Sequence, residues 1–124
     1  MKKIGIIGAG ASGLYAALNL ANENIDITIL EKNDSIAKKL LMTGNGRCNI
    51  TNAMFYDEFL DNIIRNKKFI FSSFSIHDNY STMDFYQSHG IELFTEENKR
   101  VFPKSQKSSD IVKFFEKELM DKNI

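Results

Sequence analysis

Residues 2–13 read KKIGIIGAGASG, and the rest of the chain is best interpreted outward from this segment. Its first half, KKIGII (residues 2–7), is a short apolar run of the kind that forms a buried strand. Three glycines follow in the spacing GxGxxG over residues 8–13. From Ala11 onward the apolar residues recur at helical intervals, so the segment predicts a strand, a tight glycine turn and a helix in immediate succession.

A second strand is predicted directly after this helix. The sequence NEN at residues 22–24 is expected to end the helix, and residues 26–30, DITIL, alternate in polarity and carry β-branched side chains. A strand, a crossover helix and a second strand make one βαβ unit, so the two strands should be parallel. Glu31 then stands at the end of the second strand.

These surroundings give the glycine spacing the character of a dinucleotide-binding fingerprint. Gly8 would permit the tight turn, Gly10 would let the backbone approach a pyrophosphate, and Gly13 would allow close packing of helix on strand. The phosphates would lie over free N–H groups at the start of the helix, with Ser12 as an extra donor. Glu31 would accept hydrogen bonds from ribose hydroxyls and repel a 2′-phosphate, which favours NAD or FAD over NADP. The alternative is a glycine-rich turn beside a solvated glutamate.

The composition limits the class of protein. The 124 residues are 43% hydrophobic, which suits one globular domain with a core. Sixteen basic and sixteen acidic residues cancel, which argues against a nucleic-acid-coating protein but leaves a local basic patch open. One cysteine excludes an internal disulfide and fits a reducing compartment. The apolar amino-terminal segment shows no signal-peptide cleavage site and is too short to span a bilayer, so we expect a soluble, cytoplasmic protein.

The segment after residue 54 is predicted to be mostly helical, with short strands. Helices are expected at residues 57–65, after an Asp78 cap as far as Gly90, and at 108–120 behind a Ser or Asp cap. The side chains expected to face inward are Phe59, Leu60, Ile63 and Ile64 in the first of these helices, and Ile111, Val112, Phe115 and Leu119 in the last. Short strands are expected at IELF and RVF, ending at Pro103, and Phe69, Phe71 and Phe74 are expected in the core.

We therefore expect residues 1–124 to form the amino-terminal part of a doubly wound, Rossmann-like α/β fold that binds FAD or NAD(P). Residues 1–54 would supply the βαβ unit and the loop after it, and residues 55–124 the mostly helical continuation. A sheet of two parallel strands is small for such a fold, so the chain is expected to be the first part of a larger protein.

The loop LLMTGNGRCNITN, residues 40–52, contains the single cysteine. Gly44 and Gly46 would let the backbone approach a flat ring, and Arg47 offers a cationic fork for a substrate oxygen, a phosphate or a reduced flavin. Cys48 could have a depressed pKa and act as a proton donor or nucleophile, or it could pack as a small apolar side chain. No CxxC spacing is present, which argues against a disulfide reductase.

Four segments in this order resemble the BaiN/RdsA (YhiN-type) family of NAD(P)/FAD-dependent oxidoreductases. They are MKKIGIIGAGASGLYAALNL, ITILEKN, KKLLMTGNGRCNITN and RVFPKSQKSSDIV. The first two are common to many flavoproteins, whereas the last two are far more specific. The resemblance implies a doubly wound FAD domain interrupted by a second domain, with FAD as bound cofactor and NAD(P)H as reductant. Family members are longer than this chain, and their carboxyl-terminal segment completes the FAD domain.

The resemblance also implies roles for individual residues. The pyrophosphate would be held by Gly8, Gly10, Ala11, Ser12 and Gly13, and the adenosine ribose by Glu31 and Lys32. The flavin-side groove would be lined by Lys39, Leu40, Thr43 and Gly44, with Gly46, Arg47, Cys48 and Asn49 nearest the redox centre. The chain departs from the usual Gly-Arg-Lys of the family at Ala37-Lys38-Lys39, and from its usual Gly-Arg at Lys99-Arg100. The first departure puts a tight backbone approach near residue 37 in question.

The activity implied by the resemblance is hydride transfer from NAD(P)H through FAD to a carbonyl-activated double bond. The substrate would be uridine in large ribosomal RNA, reduced to dihydrouridine, or a steroid-like enone. Arg47 and Cys48 are the candidate catalytic residues, with Cys48 as the acid. An RNA substrate predicts that the basic residues after position 65 cluster on one face, whereas a steroid predicts an apolar funnel. The basic candidates are Lys67, Lys68, Lys99, Arg100, Lys104 and Lys107.

Two alternatives from other classes remain open at this point. The chain could be a dinucleotide-binding module without turnover, or a truncated piece that does not function unaided. His77 and His89 lack metal-ligand spacing, so no metal site is expected.

Overall fold

The computed structural model describes residues 1–124, which form two compact units. The first unit consists of Met1–Cys48 and Lys107–Ile124, and the second of Asn49–Gln106. The sequence suggested a subdivision after residue 54. The units instead divide at residues 48 and 106, because the last helix returns to pack on the elements of the first unit.

Six helices and five strands make up the chain. The helices are α1 (Ala11–Leu20), α2 (Lys38–Met42), α3 (Tyr56–Asp61), α4 (Lys67–Ile76), α5 (Asn79–Ser88) and α6 (Ser108–Asp121). The strands are β1 (Lys2–Ile7), β2 (Ile25–Leu30), β3 (Thr51–Asn52), β4 (Leu93–Thr95) and β5 (Arg100–Pro103). None of the helices combines the length and apolar character that a membrane crossing requires.

The first unit contains the predicted βαβ motif. Strands β1 and β2 pair in parallel over their whole length, from Lys2 opposite Ile25 to Ile7 opposite Leu30. Helix α1 connects them, as the change from strand-like to helical spacing at Ala11 indicated. The predicted Rossmann-type α/β architecture with parallel strands is therefore confirmed.

The core of the first unit is built from apolar faces of α1 and α6. Leu14 and Ala17 of α1 are fully buried, as are Ile111 and, almost completely, Phe115 of α6. Helix α6 contacts both α1 and α2, so a segment about a hundred residues along the chain closes the core of the βαβ unit. The inward face predicted for the last helix is confirmed.

The start of α6 differs from the prediction. The cap position is occupied by Lys107, whose side chain makes no capping hydrogen bond. The expected Ser or Asp cap is therefore wrong. Ser108 instead turns its hydroxyl away from its own helix and donates to the carbonyl oxygen of Leu41, 3.0 Å away.

The second unit is a small antiparallel sheet with three helices. The strand order is β3-β5-β4, with Thr51 opposite Val101 and Phe94 opposite Phe102. Asp78 caps α5 as predicted, because its carboxylate accepts the N–H of Ser81 at 2.7 Å. The two short strands and the capped helix of this region are confirmed.

The helical segment before α5 corrects two predictions. Helix α3 ends at Asp61, not at residue 65, and Ile64 is 96% exposed instead of facing inward. Phe74 is buried as expected, whereas Phe69 is 87% and Phe71 40% exposed. The reason is a break in the helix. Helix α3 ends at Asp61 and α4 begins at Lys67, directly after Asn66 in a left-handed conformation (φ 56°), so one helical period does not run through the segment.

Candidate functional site

The glycine turn between β1 and α1 has the geometry that a phosphate-binding turn requires. Gly8 has a φ of 97° and donates its N–H to the carbonyl oxygen of Leu30 at 2.8 Å, which continues the parallel pairing into the turn. A Cβ at Gly13 would lie 2.1 Å from the carbonyl oxygen of Gly8, so only glycine permits this approach of helix to strand. A Cβ at Gly10 would meet nothing within 4 Å, which leaves that side of the turn open.

The amino terminus of α1 follows the turn directly. Gly10 occupies the cap position, and no side chain caps the helix there. The first N–H groups of a helix, here those of Ala11, Ser12 and Gly13, have no acceptor in the preceding turn. The positive end of the helix dipole adds to their attraction for an anion. This end of the helix can therefore hold a pyrophosphate.

An open cleft lies at the carboxyl ends of the two parallel strands. Its volume is about 780 Å³. Its walls are residues Ile7, Gly8, Ala9, Gly10, Ile29, Leu30, Glu31, Lys32, Asn33, Ser35, Ala37, Lys38 and Lys39. Ligands of open α/β sheets bind at this edge, and a volume of this size is in the range of cofactor sites.

Glu31 is fixed at the rim of this cleft by three hydrogen bonds. Its Oε2 accepts the N–H of Ala9 at 2.8 Å, and its Oε1 accepts the N–H and the Nδ2 of Asn33 at 2.9 and 2.6 Å. These donors, with the Asn33 N–H first and the Ala9 N–H second, lower the pKa of the Glu31 carboxyl. The carboxylate is thus ionised and oriented, as acceptance of ribose hydroxyls would require.

Ala37 is held against the glycine turn in a strained conformation. Its N–H donates to the carbonyl oxygen of Ala9 at 2.8 Å, and its side chain is buried. Its φ is 57°, in the left-handed region, which costs a non-glycine residue about 1–2 kcal/mol. The tight backbone approach that the sequence left in question at residue 37 therefore exists, with alanine bearing the strain.

Substitution of Ala37 by valine is expected to lower the free energy of unfolding by about 2 kcal/mol or more. A β-branched side chain is poorly accommodated at positive φ, and the buried site has to take two extra methyl groups. Ala37→Gly is the matched control. Relief of the left-handed strain offsets the lost methyl burial and the added chain entropy, so its stability should stay within about 0.5 kcal/mol of wild type. Urea unfolding followed by circular dichroism measures both, and equal midpoints for A37V and wild type would contradict the strain.

The turn after α2 contains several residues in the left-handed backbone conformation. Gly44, Asn45, Gly46 and Cys48 all have φ between 58° and 84°. The Nε of Arg47 donates to the carbonyl oxygen of Gly44 at 3.2 Å, so part of the guanidinium is used within the turn. The glycines predicted to allow unusual backbone geometry here do adopt it.

Cys48 is buried at the end of this turn. Its thiol-bearing side chain is 1% exposed, and its N–H donates to the carbonyl oxygen of Thr43 at 3.0 Å. Burial raises the pKa of the thiol, against a smaller opposing effect of the Thr43 side chain. The depressed pKa left open from the sequence is not found, and the structure favours the packing alternative. A chemical role for Cys48 stays a prediction.

The predicted site residues fall into three groups. Those that line the cleft are Gly8, Gly10, Glu31, Lys32 and Lys39. Those at the adjoining helix end are Ala11, Ser12 and Gly13, and those in α2 or the turn after it are Leu40, Thr43, Gly44, Gly46, Arg47 and Cys48. Asn49 is the first residue of the second unit. The roles of these residues toward a ligand remain predictions.

Sequence reasoning missed three residues that shape the cleft. Ala9 and Asn33 hold Glu31, and Ala37 anchors the loop to the turn. Asn33 carried a signal, because asparagine commonly organises a turn by side-chain hydrogen bonds to neighbours two residues away. For Ala37 the only signal was the glycine that the resembled family usually has at this position, because alanine itself does not indicate a left-handed backbone.

The basic residues suggested as a patch in the second unit are largely paired with carboxylates. Ion pairs join Lys67 to Asp61, Lys99 to Glu58, Arg100 to Glu96 and Lys104 to Glu92, with N–O distances of 2.6–3.1 Å. The two histidines of this unit are also engaged, His77 with Thr82 at 3.1 Å and His89 with the Phe85 carbonyl at 2.7 Å. Charge is therefore compensated at Lys67, Lys99, Arg100 and Lys104, which all lie in the second unit.

A family model decides the assignment of the fold and the fingerprint. The model described as the HI0933-like protein Rossmann domain matches residues 2–124. The chain belongs to the HI0933-like family. The resemblance to BaiN/RdsA-type proteins found from the sequence is thereby confirmed, together with a Rossmann-type dinucleotide-binding domain.

Curated relatives of this HI0933-like chain carry two different activities in their names. A 3-dehydro-bile acid delta(4,6)-reductase of Clostridium scindens is 38% identical over 130 residues, which cover 96% of this chain and 29% of the relative. A ribosomal RNA dihydrouridine synthase of Haemophilus influenzae is 31% identical over 97 residues, which cover 78% of this chain and 24% of the relative. The protein of the same name from Escherichia coli is 30% identical over 86 residues. The chain spans about a quarter of the length of the curated relatives it matches.

Proposed function

We propose that this chain is the FAD-binding part of a flavoprotein oxidoreductase that moves hydride from NAD(P)H through FAD to a carbonyl-activated double bond. The observation that carries the proposal is the cleft at the strand ends, with an uncapped helix terminus on one side and an oriented, ionised Glu31 on the other. When bound, FAD would supply the two-electron chemistry that amino-acid side chains lack.

The residues of the chain would bind and orient the dinucleotide. The N–H groups of Ala11, Ser12 and Gly13 would hold the pyrophosphate, and Gly10 would let it approach the backbone. Glu31 would accept the two ribose hydroxyls, and its charge would repel the 2′-phosphate of NADP at this position. Lys32 and Lys39, which line the same cleft, would stay near the phosphates as solvated cations.

FAD is favoured over NAD as the ligand of this cleft by the loop that follows. Within the turn Thr43–Gly46, the three residues Gly44, Asn45 and Gly46 are left-handed and none has a bulky side chain, which suits the approach of a flat ring. Arg47 lies at the end of this turn, where a cation could stabilise negative charge on a bound ligand. The similarity to one bile acid reductase over 96% of the chain supports the same interpretation.

The substrate class is a carbonyl-activated alkene, and a steroid-like enone is the first candidate. The relative aligned over 96% of this chain is a bile acid reductase, and enone and uridine share the same kind of activated double bond. The basic residues of the second unit are mostly neutralised by carboxylates, which supports a small apolar substrate over RNA. Uridine in ribosomal RNA is the second candidate, favoured by the names of two relatives.

The experiment is the visible absorbance spectrum of the chain purified without added cofactor, repeated after anaerobic NADH and NADPH. A flavin band at about 450 nm is expected. Gly10→Ala is the control, because its Cβ meets no protein atom but would occupy the space for the pyrophosphate. Loss of the band in a folded G10A variant would place the flavin in this cleft.

The alternatives predict other outcomes of the same experiment. Flavin that is bound but not bleached by either nicotinamide would favour a binding module, and the search for turnover would move to a longer gene product. A folded chain that binds no flavin, even when it is added, would overturn the proposal for this chain. On a longer product, consumption of NAD(P)H with a 3-oxo-4-ene steroid but not with a ribosomal RNA fragment would select the first substrate candidate.

A further inference from the structure

Helix α2 needs support from outside itself. It is five residues long, and none of them is buried. An isolated helix of this length is not stable in water, because so few hydrogen bonds cannot offset the cost of nucleation. Its position therefore depends on contacts with the rest of the first unit.

Hydrogen bonds anchor the two ends of α2. At the beginning, the N–H of Ala37 donates to the carbonyl oxygen of Ala9 at 2.8 Å. At the end, the hydroxyl of Ser108 donates to the carbonyl oxygen of Leu41 at 3.0 Å. The Leu41 carbonyl is in the last turn of the helix, where no later helical N–H is in place to donate to it. Ser108 is 5% exposed, so its hydroxyl has little access to water as a substitute partner.

We propose that Ser108 is a positioning residue for the dinucleotide site, and that its bond to Leu41 latches α2 and the turn after it onto α6. The proposal rests on the function proposed above for the cleft. Two observations support this proposal. Helix α6 contacts both α2 and the Thr43–Gly46 turn. The Ser108 hydroxyl donates to the Leu41 carbonyl and does not cap its own helix.

Release of the latch would alter both ends of the site. Lys38 and Lys39 of α2 line the cleft. If α2 were mobile, one wall of the cleft would no longer have a fixed position. The turn after α2 leads to Cys48, whose N–H is bonded to the Thr43 carbonyl. Opening of this turn would expose the only thiol of the chain.

The single cysteine therefore gives a direct measurement of the latch without any cofactor. In the closed state Cys48 is 1% exposed and its pKa is raised, so a thiol reagent reacts only through opening. Ser108→Ala leaves the Leu41 carbonyl without a partner, and we expect Cys48 to react about tenfold faster or more. Ser109→Ala is the matched control, since Ser109 is the next residue of the same helix and is exposed. Its labelling rate should equal that of wild type.

A second pair of variants has the same side-chain shape, and only one member of the pair retains a hydroxyl. Ser108→Thr and Ser108→Val differ only in a hydroxyl against a methyl group. Cys48 should react about tenfold faster in S108V than in S108T. The pair keeps the test decisive if S108A does not fold.

Labelling at several low urea concentrations distinguishes the latch from a general loss of stability. Opening of α2 and its turn exposes little surface, so the accelerated rate should hardly depend on urea, whereas global unfolding has the full dependence. Wild-type labelling rates in S108A, equal rates in S108T and S108V, or acceleration with the full urea dependence would each overturn the latch.

Titration with FAD then connects the latch to the site. S108A is expected to bind FAD more weakly than S109A, because one wall of the cleft is no longer fixed. If wild type binds no FAD, the function proposed for the cleft fails while the labelling result still decides on the latch. If wild type and S108A bind FAD equally, Ser108 does not position the site.

Discussion

Substitution of Gly13 by alanine is expected to lower the free energy of unfolding by about 3 kcal/mol. The new Cβ would lie 2.1 Å from the Gly8 carbonyl oxygen and 3.3 Å from its carbon, both of which are backbone atoms of the turn. Neither can rotate away, so α1 has to separate from β1 or the turn has to change shape. This cost exceeds the gain of about 1 kcal/mol from replacing glycine by alanine within a helix.

The same change should abolish flavin binding. A displaced Gly8 turn would move the Ala9 N–H away from Glu31 and misplace the helix end that faces the phosphates. Urea unfolding by circular dichroism measures stability, and flavin absorbance measures retention of the cofactor.

Gly5→Ala is the matched control for this effect. Gly5 lies in β1 of the same βαβ unit, and a Cβ there would meet nothing within 4 Å. Alanine restricts the unfolded chain more than glycine, so G5A should be as stable as wild type or slightly more stable. A G13A variant that unfolds at the same urea concentration as G5A would show that the close approach of α1 to β1 is not obligatory.

The βαβ unit was predictable because each of its features is local. The change from strand to helical spacing at Ala11, the glycines at fixed positions and the acidic residue after β2 all lie within thirty residues. Asp78 as a helix cap was likewise visible, since a capping carboxylate acts only three residues along the chain.

Features set by distant contacts were not predictable in this way. The return of α6 to the first unit depends on packing against α1 and α2, so periodicity identified its inward face but not its partner. The helix expected at residues 57–65 ends at Asp61, and the next helix begins only at Lys67, so Ile64 and Phe69 are exposed. Asparagine adopts the left-handed conformation more often than most residues, but the sequence does not indicate which asparagines do so.

The pKa of the Cys48 thiol was likewise not predictable from the sequence. A neighbouring guanidinium suggested that the thiol pKa could be depressed. In the folded unit the Arg47 side chain donates to the Gly44 carbonyl, and burial of Cys48 raises the pKa of its thiol. Residues that are adjacent in the sequence are close in space, but burial and side-chain direction determine whether a neighbouring charge shifts a pKa.

Substitution of Glu31 by alanine is expected to weaken FAD binding about a hundredfold. The carboxylate would make charged hydrogen bonds to two ribose hydroxyls, and part of this gain is offset because its bonds to Asn33 rearrange. Glu31→Gln keeps the shape and one acceptor oxygen, so its affinity should fall between those of wild type and E31A. Glu23→Ala, which removes an exposed carboxylate of the same unit outside the cleft, is the control and should leave the affinity unchanged.

The pH dependence separates the charge of Glu31 from its shape. Folding lowers the pKa of this carboxyl, so the ionised form persists below the usual carboxyl range. Its contribution to stability is therefore complete above the ordinary carboxyl pKa and is lost as the pH falls through the lower, folded value. FAD affinity of the wild type should fall in the same acidic window, whereas that of E31Q should show no step there.

Fluorescence titrations with FAD between neutral pH and the lowest pH at which the chain stays folded measure both. If E31A bound FAD as tightly as wild type at neutral pH, the ribose would not be held by Glu31, and the bonds to Ala9 and Asn33 would serve only to close the turn.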